Sequence, residues 1–385
     1  MKRTLRCRSM ITPDGPVADG EIQIEDELIT AVRPASPADH DRAEIETIEG
    51  VVLPGFVDTH THGCGGHDLA TDDVDEARAA VAFARRFGGT TSLIASLVTA
   101  PLETLEAQLR TLGPLVDAGE IAGIHAEGPF LSEAKRGAHT PELLRDPDPA
   151  SVDRLLTAAD GRLSMITIAP ERPGAIAAIE RFVAAGVTVA VGHTDGDDPI
   201  TERALDAGAS VATHLFNAMP SIHHRDPGPI PRLLTDQRVL VELICDGVHV
   251  APQVLTMAIE AAGVDRVAMI TDAMVATGMP DGSYSLGGLQ VAVSGGVARL
   301  RTTDGSQGSI AGSTLTMRAA FAYGVQQLGL SIEEVSTMTA ATPARRHGLT
   351  DMGRLEAGYR ADLAVVDDQG NLLRLMHRGV WEELA

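Results

Sequence analysis

The chain is 385 residues long, 44% hydrophobic, and carries a formal net charge of −22. That length can bury a sizeable core and suits one large domain with a smaller companion. The acidic balance argues against nucleic acid or an anionic membrane as partner, since phosphates are repelled at long range and an anionic substrate would need a local cationic pocket.

The opening stretch MKRTLRCRSMITPDG lacks the apolar segment of a secretory signal. No run approaches the roughly 18 apolar residues of a membrane-spanning helix. Cys7, Cys64 and Cys245 are odd in number, far apart and in no CxxC pair. They fit free thiols in a reducing cytoplasm, which is the expected location. Cys64 lies beside a pair of histidines but reads as a small packing residue.

Short strands are expected over the first fifty residues. Glu21 to Glu25 alternates polar and apolar, and Leu28 to Val32 follows a two-residue acidic break. The polar, proline-bearing run from Pro34 to Asp41 reads as a loop. At the other end, Ala361 to Asp367 and Leu372 to Trp381 are strand candidates around the turn Asp368 to Asn371. Termini often lie close together, so the two ends (1–50 plus 346–385) are expected to pair into a small β domain, a sandwich, beside a central domain of 51–345.

Between them the rhythm changes. Asp75 to Phe87 has a helical pattern closed by Gly88-Gly89. Further helices are expected over about Leu102 to Asp117, Gly174 to Ala185 and Ile200 to Asp206. Strand-like runs alternate with them: Val51 to His62, Thr90 to Val98, Ile121 to Glu127, Leu163 to Ala169, Val187 to His193, Ser210 to His214, Val239 to Cys245 and Arg266 to Asp272. Eight short buried strands alternating with helices point to an α/β architecture, a (β/α)8 TIM-like barrel. A doubly wound sheet is the alternative, and the absence of GxGxxG or GxxxxGK[ST] after the first strand counts against it. The glycine-rich residues 277–312 read as a further hairpin, and Ser313 to Gln327 and Ser331 to Arg345 as helices.

The first of these strands runs into Asp58-Thr59-His60-Thr61-His62. Residues i and i+2 of a strand share a face, so His60 and His62 would stand side by side. Alone, the pair reads more readily as two hydrogen-bonded surface histidines than as a metal's first two ligands. Placement widens the case. Glu127 ends the third strand, His193 the fifth, His214 the sixth and Asp272 the eighth, all at the carboxyl face where active sites of this barrel are built. Neutral imidazoles with carboxylates suit zinc, with Fe2+ or Mn2+ as other candidates, and hydrolytic chemistry.

At these segments the chain resembles the amidohydrolase superfamily, and within it the N-acetylglucosamine-6-phosphate deacetylase branch. The resemblance rests on PGFVDTHTHG (54–63), HAEGPF (125–130), RGAH (136–139), GHTD (192–195), THLFNAM (213–219), CDGVH (245–249), ITDAM (270–274) and AGSTLTM (311–317). GRLEAGYRADLAVVD (353–367) is similar to the superfamily's return into its small β domain. The resemblance implies that Glu127, His193 and His214 hold the main catalytic divalent ion and that His60 and His62 mark a second metal position. Lys2 and Lys135 are the only lysines, and neither falls at a strand end where a carbamylated lysine could bridge two ions. The resemblance then implies that Glu127 is the bridging or shared carboxylate.

The implied reaction is hydrolysis of N-acetyl-D-glucosamine 6-phosphate to D-glucosamine 6-phosphate and acetate, with a metal-activated water, Asp272 as general base and acid, and His249 helping to stabilise the oxyanion. Substrate contacts are carried over to Ala138, His139, Asn217, Ala218, Asp246, Gly247, Val248, His249, Ile310, Ala311 and Gly312. Arg225 corresponds to an arginine that reaches the neighbouring subunit's phosphate site, which implies a homodimer. His125 is expected to support the site without ligating, and residues 131–139 to form a closing loop. The competing functions are an N-acyl amino acid deacylase or another, ring-opening amidohydrolase, and a catalytically inactive scaffold on the same fold.

Overall fold

The structure, a computed structural model, describes residues 2–35, 45–302 and 306–385. Most of the expected loop from Pro34 to Asp41 lies outside the described residues. The chain forms two compact units, Met1–Asp58 with Arg85–Ser92 and Thr316–Ala385, and Thr59–Ala84 with Leu93–Leu315.

In the first unit the two chain ends share one seven-stranded sheet. Its order is Val380–Trp381, Leu372–His377, Leu363–Val366, Ile45–Pro54, Lys2–Thr12, Gly15–Glu25 and Leu28–Pro34. The join is antiparallel, Leu363 opposite Pro54 through Val366 opposite Val51. Alternation works as expected over Glu21 to Glu25, where Ile22 and Ile24 turn inward. They meet Leu5, Ile29, Ile48, Leu363 and Met376 in a single core, the interior of the small sandwich.

Lys2–Thr12 is a strand the sequence does not announce, because its alternation is broken. The register slips between Cys7 and Ser9, so that Leu5, Cys7 and then Met10 face inward. Helix Met317–Gln326 starts where the Thr316 side chain accepts from Ala319 N–H. Ser331 and Glu334 form a capping box for the next helical run. That run is one path interrupted by a π turn at Thr337–Ala341 before Thr342–Arg346.

The eight parallel strands expected from the sequence are all present: Phe56–Thr61, Thr90–Val98, Gly123–Glu127, Leu163–Ile168, Thr188–Val191, Val211–Ala212, Leu240–Ile244 and Val267–Ile270, hydrogen-bonded in chain order. The last strand returns to the first through Asp272 N–H donating to His60 O at 2.8 Å and a bridge between Thr61 and Ala273. This is the (β/α)8 barrel. Seven helices separate successive strands, among them Leu102–Asp117, Ala175–Ala184 and Asp198–Asp206. Asp148 and Asp197 cap two of them by accepting from Ser151 N–H and Ile200 N–H.

After the eighth strand the chain makes a three-stranded antiparallel meander, Gly282–Leu286, Leu289–Ser294 and Val297–Leu300, where the sequence suggests a single hairpin. Its two tight turns are Gly287-Gly288 and Gly295-Gly296, every one at positive φ, the conformation such two-residue turns require. The meander packs Leu286, Val291 and Val293 against Val98 and Met274.

Candidate active site

The six residues singled out as metal ligands or general base sit at the carboxyl ends of the barrel strands. Glu127 closes the third strand, and His60 and His62 share one face at the end of the first. His193, His214 and Asp272 each follow their strand by two residues and take left-handed φ values of 46°, 28° and 50°. That conformation is uncommon for side chains of this size, and it turns each one off the strand's line and inward.

The result is a dense buried cluster. The Nε2 atoms of His193 and His214 lie 3.1 and 3.0 Å from Glu127 Oε1 and 3.1 Å from each other. His62 Nε2 is 3.2 Å from Glu127 Oε2 and 3.2 Å from Asp272 Oδ1. The Nε2 atoms of His60 and His62 are 3.2 Å apart, and His60 Nε2 is 3.5 Å from both Glu127 Oε1 and Asp272 Oδ1.

Opposite edges of these rings are held from outside. His62 Nδ1 faces Ser96 O at 3.2 Å, and His193 Nδ1 faces Lys135 O at 3.0 Å. A carbonyl oxygen can only accept, so each imidazole donates its Nδ1–H outward and presents Nε2 to the centre.

Imidazoles held in that tautomer aim their Nε2 lone pairs at one another and at two carboxylates. A cation resolves that arrangement. Two ligand atoms on a tetrahedral zinc ion at about 2.0–2.1 Å stand about 3.3 Å apart, and the spacings here run from 3.0 to 3.5 Å. His60, His62 and Glu127 group their ligand atoms within 4.8 Å of one another, as do Glu127, His139 and His193. The cluster can therefore hold a divalent metal.

The field agrees. Burial alone would lower His62, but Asp272 and Glu127 outweigh it and lift it to about 9. His60 moves well upward for the same reason, burial being overcome by Glu127 and Asp272. Against the opposing effect of burial, His60 and other neighbouring histidines hold Glu127 well below the usual carboxylate range. His60 and His62 hold Asp272 down at about 2. Whatever draws protons onto this pair of imidazoles draws a divalent cation equally.

His139 belongs to the cluster in a different capacity. Its Nδ1 stands 2.8 Å from Thr99 Oγ1 and 3.3 Å from Thr99 N–H, and its Nε2 stands 3.4 Å from Glu127 Oε2, an anion that can only accept. It is a hydrogen-bond donor to that carboxylate, and burial keeps it neutral by lowering it to about 4. His125 also matches its expected supporting place, between Ser96 Oγ at 2.9 Å and Thr167 Oγ1 at 2.8 Å. Cys64 packs as expected, donating to Ala80 O.

Above the cluster opens a cavity of about 430 Å3, within the range of small-molecule sites. Ala138, His139, Asn217, Ala218, His249, Ile310 and Gly312 line it, as do Glu127, His193, His214 and Asp272. Asp246 does not line the cavity but accepts from His249 Nδ1 at 2.7 Å and keeps His249 raised against the effect of burial. Gly247, Val248 and Ala311 do not line the cavity; Gly247 and Val248 are exposed and Ala311 is fully buried. Arg225 lies on an exposed turn, outside the lining of a single chain.

Several lining residues carry no legible signal in the sequence: Val98, Leu286 from the meander, and Lys135, whose Nζ stands 3.5 Å from Asp195 Oδ1. The loop 131–139 is tied down at His193, whose backbone oxygen accepts from Ser132 N–H at 2.9 Å. Gly137, at φ +57°, passes so close that a Cβ would lie 3.1 Å from His193 Cε1.

A barrel with two carboxylates and four converging imidazoles at its carboxyl end is the arrangement of a metal-dependent hydrolase. The amidohydrolase family profile matches residues 51–381, and the chain belongs to that family. Its relatives there are hexosamine-phosphate deacetylases. An N-acetylgalactosamine-6-phosphate deacetylase from Escherichia coli O157:H7 is 35% identical over 95% of this chain and 96% of that protein. An N-acetylglucosamine-6-phosphate deacetylase from Bacillus subtilis (strain 168) is 32% identical over 96% of this chain and 94% of that one. Among solved structures, an N-acetyl-D-glucosamine-6-phosphate deacetylase mutant from Mycobacterium smegmatis, in complex with N-acetyl-D-glucosamine-6-phosphate, superposes over 100% of both chains with a TM-score of 0.93 and 43% identity. Among the described residues no helix is long and apolar enough to cross a membrane.

Proposed function

We propose that this protein deacetylates N-acetyl-D-glucosamine 6-phosphate, releasing acetate and D-glucosamine 6-phosphate. The observation that carries the reading is the convergence of four imidazole Nε2 atoms on Glu127, beside Asp272, at the floor of the cavity. Glu127, His193 and His214 would hold the main ion, zinc by the nitrogen-rich donor set, and His60 and His62 a second position sharing Glu127. A divalent ion bound there supplies an activated water and polarises the acetyl carbonyl.

The chain's own groups supply the rest. Asp272, held as an anion, takes the proton released as water adds to the carbonyl carbon, then delivers it to the nitrogen as the C–N bond breaks. The amine leaves as the neutral RNH2 and the acetyl group as acetic acid, which keeps water's second proton and ionises to acetate on release, so atoms and charge balance. His249, kept protonated by Asp246, donates from Nε2 to the oxygen that gains charge. Asn217, Ala218 and His139 position the sugar from the cavity wall.

Lys135 is the only permanently cationic side chain on that wall among the described residues, too little for a dianionic phosphate approaching a chain of charge −22. We place Arg225 of a second copy there, in a homodimer, where its fork can grip two phosphate oxygens. Three buried free cysteines fit a reducing cytoplasm.

Acetate release tests the reading, measured on N-acetylglucosamine 6-phosphate, its galactosamine epimer and unphosphorylated N-acetylglucosamine. Turnover of the phosphorylated sugars should be far faster, should stop with a chelator and should return with zinc. Equal rates with and without the phosphate would overturn the phosphate assignment.

A further inference from the structure

Glu242 lies inside the apolar seventh barrel strand, Leu240–Ile244, and is completely buried. A carboxylate among Leu240, Val241, Leu243 and Ile244 is costly unless it is paired. It accepts from Thr59 Oγ1 at 2.9 Å through Oε1, and Oε2 stands 3.4 Å from His60 Nδ1. It does not line the cavity, so it cannot meet substrate.

The four inward-facing histidines are held unequally. Backbone carbonyls receive His62 and His193, and the buried Nδ1 of His214 has no hydrogen-bond partner among the described residues. Only His60 has a carboxylate behind it. An anion on Nδ1–H fixes the tautomer, makes Nε2 a stronger donor and adds negative charge one ring away from any ion. Thr59, one residue earlier, anchors the carboxylate's other oxygen and so fixes its angle to the ring.

Resting on the metal site proposed above, we infer that Glu242 is a positioning residue that readies His60 for a second divalent ion, making the centre binuclear. The ion at Glu127, His193 and His214 does not depend on it, since none of those side chains touches Glu242 in the contacts described. Glu242 therefore acts on one metal position and not the other, which a merely structural carboxylate would not do.

The test is zinc titration of the metal-stripped protein, with bound metal counted by elemental analysis, on wild type, Glu242→Leu and Glu242→Gln. Wild type should bind two equivalents. Both variants should keep the first with unchanged affinity and weaken the second about 10- to 100-fold, the range for loss of such an outer carboxylate. Glu242→Gln keeps the shape should Glu242→Leu fail to fold. With cobalt in place of zinc, the absorption bands of the second equivalent should vanish from the variants at concentrations that fill wild type. Two equivalents bound as tightly in Glu242→Gln as in wild type would overturn the role of Glu242. A single equivalent in wild type would overturn the binuclear centre while leaving the deacetylase reading intact, and acetate release tells the two apart.

Discussion

Asp272→Asn isolates the proton-transfer role from everything else at that position. The backbone at Asp272 is left-handed, φ 50°, and asparagine is one of the few residues that tolerates this conformation as well as aspartate. Its barrel-closing bonds are main-chain ones, from its N–H to His60 O at 2.8 Å and from Ser313 N–H to its oxygen at 2.7 Å, and they survive the change. What is lost is a carboxylate Oδ1 that stands 3.2 Å from His62 Nε2 and 3.5 Å from His60 Nε2. An amide can neither take the water's proton nor return it to the amine. General acid–base catalysis contributes roughly 10^2- to 10^4-fold, so kcat should fall by that factor, about 3–5 kcal/mol of barrel-site transition-state stabilisation. Removing the charge also lets His60 and His62 move back toward ordinary values, because Asp272 is one of the carboxylates that raise them. The assay is steady-state acetate release at saturating zinc, with bound metal counted on the same samples. A variant that keeps kcat within threefold of wild type at equal metal content would refute the assignment of Asp272 as the base.

Two further expectations follow from neighbouring geometry. Asp246→Asn removes the carboxylate that raises His249, so the alkaline limb of the kcat/KM profile, where His249 loses its proton, should move to lower pH; an unmoved limb would show that His249 does not act as the protonated donor. Gly137→Ala places a Cβ at a left-handed position against the His193 ring, costing about 1–2 kcal/mol in backbone strain alone. It should weaken metal binding and lower turnover, measured by zinc titration and acetate release, without loss of the barrel's circular dichroism.

The barrel was legible because buried parallel strands read as brief apolar runs, and here five of the eight runs end abruptly in His, Glu or Asp. Even Val211–Ala212, the shortest of the eight, was marked by the histidine that follows it. Lys2–Thr12 escaped because its bulge breaks the alternation on which a strand is recognised. At the centre, the inward-facing residues were readable as residue types, but the groups behind them were not. Ser96 and Lys135 act through carbonyl oxygens, which every residue possesses. Glu242 is a single acid in the run Val239-Leu-Val-Glu-Leu-Ile-Cys245, with nothing in sequence to say which way it points. Lys135 could be excluded as a bridging lysine but not located on the cavity wall, because loop paths have no periodicity to follow. The left-handed backbone at His193 and His214 is likewise not one that local preference announces.

The different holds on these histidines also decide how the centre can be inherited. A backbone carbonyl survives every substitution of its residue, so the grip on His62 and His193 is lost only if the chain itself moves. The grip on His60 is a side chain, and one nucleotide change in the Glu242 codon removes it. On the binuclear centre proposed above, a lineage descended from this protein would under drift shed the His60 side first and keep the Glu127, His193 and His214 side, without rebuilding the barrel.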